Sequence, residues 1–244
     1  HTEILITADE EVGSHASRAL LEERAKAAGA VLVLEPSADG GALKIARKGT
    51  GTFNVTITGR ASHAGLEPEK GINALVELAA QVPRIAALAR PELGTTVTPT
   101  VAKAGTADNV VPDLATIAVD VRCVIPEEST RLESEMSRLA ATLDGARVEV
   151  SGGLNRPPMH ESMTKELFAI AEKIAGEYGI QGLAGVAVGG GSDGNITAAV
   201  GVRTLDGLGA VGAGAHAETE HVRLDLMPER AALVAGLVQT IVNG

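Results

Sequence analysis

The sequence predicts an α/β protein in which a second, ferredoxin-like unit is inserted into the first. Three observations carry this. Residues 3–48 read as strand, helix, strand, with apolar runs suited to a parallel sheet. Residues 50–153 switch to period-two alternation in the order βαββαβ. Residues 157–244 then return to the first style, with helices and glycine-rich loops between short apolar strands.

Glu3 to Thr7 is short, apolar and β-branched, and predicts a strand. Ser14 predicts an N-cap for a helix running to about Ala28, with Leu20, Leu21 and Ala25 on one face and Gly29 closing it. Val31 to Leu34 is wholly apolar, as in a buried parallel strand. A strand–helix–strand unit of this kind is right-handed. In the second unit we expect strand 51–59, helix 71–89, strands 95–105 and 114–125, helix 127–143 and strand 146–151. Thr52 to Ile57 and Thr116 to Val121 alternate apolar and polar residues, the signature of a half-buried antiparallel sheet. The last part predicts helix 162–178, strand 184–188, a glycine run at 189–191 opening a short helix, strand 202–206, and a closing helix 226–242 with Pro228 in its first turn. The expected domains are therefore 1–49 with 154–244, and 50–153.

The 244 residues suffice for one large domain or two small ones. Only Phe53, Phe168 and Tyr178 are aromatic, so the core must come from Val, Leu, Ile and Ala, and so few rings disfavour base-stacking platforms. A formal charge of −10 disfavours nucleic acid and anionic membrane as partners. The single cysteine, Cys123, excludes an intrachain disulfide and a cysteine zinc cluster. No apolar run is long enough for a transmembrane helix and no signal peptide opens the sequence, so a cytoplasmic protein is the expectation. The sequence opens abruptly on an apolar strand, and we expect the natural chain to extend upstream.

The chemistry-bearing residues gather at one predicted edge. Asp9-Glu10-Glu11 follows the first strand, Glu35 ends the second, the glycine run follows the third, and His216 lies in the loop after the fourth. Ligands of open α/β sheets bind beyond the carboxyl ends of the strands. Each residue has a plainer reading. Paired glutamates are mostly solvated, and His216 between glycines fits a surface loop. Glu35 after four apolar residues needs a partner, and a metal is one option. His15, His160 and His221 read as structural or exposed.

Six motifs in order resemble one family. They are Thr7-Ala8-Asp9-Glu10-Glu11-Val12-Gly13-Ser14, Leu34-Glu35-Pro36-Ser37, Ala61-Ser62-His63-Ala64-Gly65, Asn109-Val110-Val111-Pro112, Gly189-Gly190-Gly191-Ser192-Asp193 and Gly214-Ala215-His216. Over essentially its whole length the chain is similar to the di-zinc metallopeptidases that include glutamate carboxypeptidase, aminoacylase and succinyl-diaminopimelate desuccinylase, nearest to the folate-cleaving glutamate carboxypeptidases. The resemblance implies a zinc-exopeptidase-like catalytic domain and, in the inserted unit, a lid and dimerisation domain.

It also implies roles. Glu10 would be the general base. Glu11 and His216 would hold one metal and Glu35 the other. His63 would polarise the scissile carbonyl in a neighbouring subunit's site. Asn109 and Arg156 would bind the substrate carboxylate, and the backbone of Gly190 and Gly191 would line the pocket. Plainer rivals are a loop-capping His63, a turn residue at Asn109 and a surface Arg156. The implied cofactor is two zinc ions per full-length subunit, with cobalt or manganese as alternatives. The implied partners are a small or dipeptide-like substrate bearing a carboxylate and a second copy of the chain, with no nucleic acid and no membrane.

One departure matters. The family's His-x-Asp motif and its metal-bridging aspartate have no counterpart here. Catalytic zinc takes at least three protein ligands, and two neighbouring cations need a bridge. We therefore expect an enzyme present as an incomplete, by itself inactive, catalytic domain. A non-catalytic dimerising or binding protein that keeps the lid is the alternative. A phosphate binder ranks last, because the glycine run lacks the Gly-Lys-Ser/Thr ending of a P-loop.

Overall fold

The structure is a computed structural model describing residues 1–244. In chain order its first elements are α1 (Arg18–Ala27), β1 (Val31–Leu32), β2 (Leu43–Arg47), β3 (Gly49–Thr58), β4 (Ser62–His63) and α2 (Ala74–Ala86). Then come β5 (Thr96–Ala104), β6 (Val110–Val111), β7 (Leu114–Cys123), α3 (Pro126–Ser137) and β8 (Arg147–Arg156). The last are α4 (Lys165–Tyr178), β9 (Gly185–Val188), α5 (Asp193–Ala199), β10 (Thr204–Leu205), β11 (Gly212–Ala213), β12 (His221–Val222) and α6 (Met227–Asn243). The chain forms two compact units, one of residues 1–48 with 156–244 and one of residues 49–155. No helix is long and apolar enough to cross a membrane.

The unit of residues 49–155 is a four-stranded antiparallel sheet in the order β5-β7-β3-β8. Alternation decides its faces. Phe53, Val55 and Ile57 of β3 lie opposite Val119, Ile117 and Ala115 of β7, and all six are buried. Helix α2 covers that face with Ala74, Leu78 and Ile85, and α3 with Leu132 and Met136. Asn73 starts α2 by accepting the amides of Leu75 and Val76, an N-cap that satisfies otherwise orphan donors. The order βαββαβ and the strand arrangement agree with the ferredoxin-like expectation.

The other unit packs α4 against α6 over β2, β9 and β10. Leu43, Leu167, Ile174, Leu205, Leu233 and Leu237 form its core. Gly236 lets the helices meet, since a Cβ there would stand 2.7 Å from Ile174 Cγ2. β1 runs parallel to β10 and β2 parallel to β9.

Three expectations are corrected. Residues 3–7 form no strand: Ile4 and Ile6 are 81% and 89% exposed, so nothing pairs with their backbone or covers their side chains. The strand expected at 31–34 shrinks to two residues, and Leu34 is exposed because only Val31 and Leu32 have ladder partners. Ser14 is no N-cap. It is buried at φ +56°, and its hydroxyl is turned to Asp193, so α1 begins after Ser17.

Candidate active site

Asp9 builds the first part of the site. Its carboxylate accepts the amides of Ala16 (2.7 Å) and Ser17 (3.2 Å), and its carbonyl accepts that of Ser14 (2.8 Å). This folds residues 10–12 into a single 3₁₀ turn closed by Gly13 at φ +100°. The turn presents Glu10 half-buried and Glu11 exposed.

Arg156, at the end of β8, reaches this turn. Its Nη2 donates to the Glu10 carbonyl at 2.7 Å, to Glu10 Oε1 at 2.8 Å and to Ser14 Oγ at 3.0 Å. Asp193, the first residue of α5, lies 3.7 Å from the same nitrogen. Asp193 accepts from Thr7 Oγ1 at 3.0 Å and from the Ser14 hydroxyl. Thr7, Glu10, Ser14, Arg156 and Asp193 thus form one connected network. Burial pushes the Glu10 carboxyl up. Arg156 opposes the shift, and Glu35, Asp193 and Glu11 add to it.

Glu35 follows β1. Burial raises its carboxyl too, reinforced by Asp206 and Glu11 and opposed by Arg47 and Lys44. The loop there is tight: a Cβ on Gly209 would meet the Leu34 carbonyl at 2.3 Å, so the close approach needs glycine. Lys44 is half-buried, and its ammonium is pushed down by burial and by Arg47.

The glycine run rests on a buried ion pair that sequence reading missed. Arg47 grips Asp206 at 2.7 Å and 3.1 Å, with side chains 4% and 0% exposed. Its Nη1 donates to the carbonyls of Gly190 (3.0 Å) and Gly191 (3.3 Å). Ser192 also donates to Asp206, and with Asn195 it closes a capping box on α5. The two carbonyls face inward, so in a trans peptide the Gly191 N–H points the other way. Gly190 has open space where a side chain would stand. Asp206-Gly207 directly after an apolar strand was the available signal; Arg47 carried none.

His216 sits in the turn between β11 and β12, exposed and at φ +62°. No three His, Cys, Asp or Glu side chains of the chain converge closely enough to hold a metal ion. Glu11, Glu35 and His216 therefore do not fit a metal by themselves.

His63 and Asn109 belong to the other unit, where β4 pairs with β6. His63 Nδ1 accepts the amides of Gly65 and Leu66, both at 3.1 Å. With Nδ1 accepting, the hydrogen of the ring is left to Nε2. The Asn109 carbonyl accepts the Ala64 amide at 2.9 Å, which places both residues at one turn with exposed side chains.

Comparison with known proteins bears on both units. Residues 45–148 match the M20 peptidase dimerisation domain. Carboxypeptidase G2 of Pseudomonas sp. (strain RS-16) is 32% identical over 250 residues, covering 99% of this chain and 59% of that protein. The chain is thus similar to M20 peptidases over residues 45–148 and to carboxypeptidase G2 over nearly its whole length. Its fold is shared with aminopeptidase PepT of Bacillus cereus ATCC 10987, at a TM-score of 0.77 and 24% identity over 97% of this chain and 63% of PepT. It is shared also with YXEP of Bacillus subtilis, a dinuclear metal binding peptidase of the M20 family, at a TM-score of 0.65 and 16% identity over 96% of this chain and 63% of YXEP. The chain spans about three fifths of the length of the curated relatives it matches, 59% of one and 64% of the other. The dimerisation-domain match falls on the sheet of β3, β5 and β7 with α2 and α3, and the likeness to carboxypeptidase G2 runs through both units.

Proposed function

We propose that this chain carries the general base and part of the substrate site of a zinc-dependent amidohydrolase cleaving an amide or peptide bond next to a free carboxylate. The observation that carries the reading is the Glu10–Arg156 pair: a half-buried carboxyl with a raised pKa, touching a guanidinium that also suits a substrate carboxylate. A carboxyl pushed upward is a better proton acceptor, and general base catalysis contributes roughly 10²–10⁴-fold.

Each remaining residue has a place in the reading. Glu11, Glu35 and His216 are metal donors, completed by ligands from outside these 244 residues, since they do not suffice alone. Zinc is the metal we assign, two ions per complete subunit. The Gly191 N–H, above the open floor at Gly190, receives a substrate oxygen. Nε2–H of His63 donates to the scissile carbonyl in a neighbouring subunit's site, and Asn109 lies at the same lid turn. We further propose a homodimer through residues 50–153, on the strength of the dimerisation-domain match.

The test is paired. In protein supplemented with the remaining ligands, Glu10→Gln lowers hydrolysis of an N-acyl amino acid by at least about 100-fold while zinc content stays near normal. Glu11→Gln lowers zinc content instead, because a neutral amide is a poorer ligand. The opposite pattern reverses the two roles. Full activity in both variants moves the site elsewhere; no hydrolysis by the unsubstituted protein favours a dimerising, non-catalytic protein.

A further inference from the structure

Arg156 spends its contacts unevenly. All three of its short hydrogen bonds leave from Nη2, while Nε is buried and has no partner. The Nε–H and one Nη2–H of a guanidinium lie parallel and form a fork that takes a carboxylate through both oxygens. Here that fork is half used, because Glu10 occupies Nη2 through a single oxygen at 2.8 Å. The arginine side chain is 11% exposed, so the open half is an unmet donor in a nearly closed site. Leaving a buried donor unpaired is costly, and a carboxylate gripping both nitrogens would remove that cost.

We infer that Glu10 and the substrate carboxylate compete for Arg156, so that the substrate's own carboxylate releases the base. This rests on the reading of Arg156 as the carboxylate site. With no carboxylate bound, Glu10 is held on the arginine. When one arrives on the Nε–Nη2 fork, Glu10 loses its ion-pair partner and its carboxylate is released from the arginine. Ser14 Oγ at 3.0 Å and the Asp193 carboxylate at 3.7 Å keep the arginine in place during the exchange. Thr7 and the Ser14 hydroxyl in turn hold Asp193.

Two consequences follow. A neutral analogue leaves Glu10 tied to Arg156, so discrimination against it appears in kcat as well as in KM. In addition, the affinity for any carboxylate is reduced by the fraction of molecules in which the arginine is free. Glu10 is therefore a specificity residue as well as a base.

The experiment is calorimetric titration of the 244-residue chain with N-acetyl-L-glutamate, and with its neutral diamide as control. Glu10→Gln keeps the shape but removes the competing charge, and binding of the carboxylate tightens about tenfold. The diamide binds to neither protein. Arg156→Met abolishes carboxylate binding, and Arg156→Lys, which keeps the charge without the fork, weakens it. Circular dichroism of each variant confirms that it is folded. If the arginine variants lose binding but Glu10→Gln binds no more tightly than wild type, the competition is refuted and the carboxylate site stands. If folded Arg156→Met binds like wild type, the carboxylate site itself is refuted. Absence of binding to both wild type and Glu10→Gln at millimolar ligand overturns both.

Discussion

Ser14 shows how one residue can be misread from sequence and why. A serine just before an apolar periodic stretch is the ordinary sign of an N-cap. Here Asp9 takes that task, accepting the Ala16 and Ser17 amides. Ser14 is left in the left-handed region at φ +56°, buried between Asp193 and Arg156. Such a conformation costs a non-glycine residue on the order of 1–3 kcal/mol, and strain of this kind clusters at functional sites. Two substitutions separate the strain from the hydrogen bonds. Ser14→Ala deletes both bonds and keeps the strain, so it should destabilise the protein by about 2 kcal/mol. Ser14→Gly deletes the same bonds but relaxes the backbone, and should be about 1 kcal/mol more stable than the alanine variant. Urea midpoints of the two decide it; an alanine variant equal to or better than glycine removes the strain argument. The buried Arg47–Asp206 pair was illegible for another reason. Its partners are 159 positions apart, and no periodicity marks an arginine that serves a distant loop.

At the scale of elements, what could be read depended on how local the determining physics is. The strands at 49–58 and 114–123 follow from alternation, because the burial of every second residue is written into the strand itself. The apolar run at 3–7 has the same propensity but no neighbour to pair with, and a strand exists only as part of a sheet. Helix α3 shows how side chains beyond the pattern fix an element. Glu128 is buried in its first turn and receives Arg131 at 2.6 and 2.7 Å and Arg90 at 3.0 Å. The hydrogen bonds from Arg131, with support from Arg90, outweigh burial and hold its carboxyl at about 2, against 4.5 for an ordinary glutamate. The folded-state pKa lies below the unfolded one. The pair therefore contributes fully above about 4.5, and its contribution fades as the pH falls toward 2. The stake is on the order of 3 kcal/mol. Glu128→Gln should lower the melting temperature at pH 7 and lose less stability than wild type between pH 5 and pH 3. Parallel melting curves across that range would contradict the assignment.

At the scale of the whole molecule, assembly is the property that the fold of each unit leaves open. In the unit of residues 49–155, β5 is an edge strand of the sheet. It carries partial protection: Pro99 sits at a bulge, and Lys103 is exposed. Both are devices that discourage indiscriminate pairing. Between them Val101 is 57% exposed, and Leu75 and Val76 at the start of α2 are exposed as well. Apolar side chains on a segment that matches a dimerisation domain are reasonably explained by a second copy covering them. A two-fold contact uses the same patch on both partners, so one substitution acts twice. Val101→Lys should therefore convert a dimer into a monomer at tens of micromolar, as should Leu75→Glu with Val76→Glu. The folded secondary structure should be unchanged, because none of these side chains belongs to the buried core. Sedimentation velocity of wild type and the variants is the measurement. A monomeric wild type at that concentration overturns the homodimer. A dimer that survives every one of these substitutions places the interface on another face of the molecule.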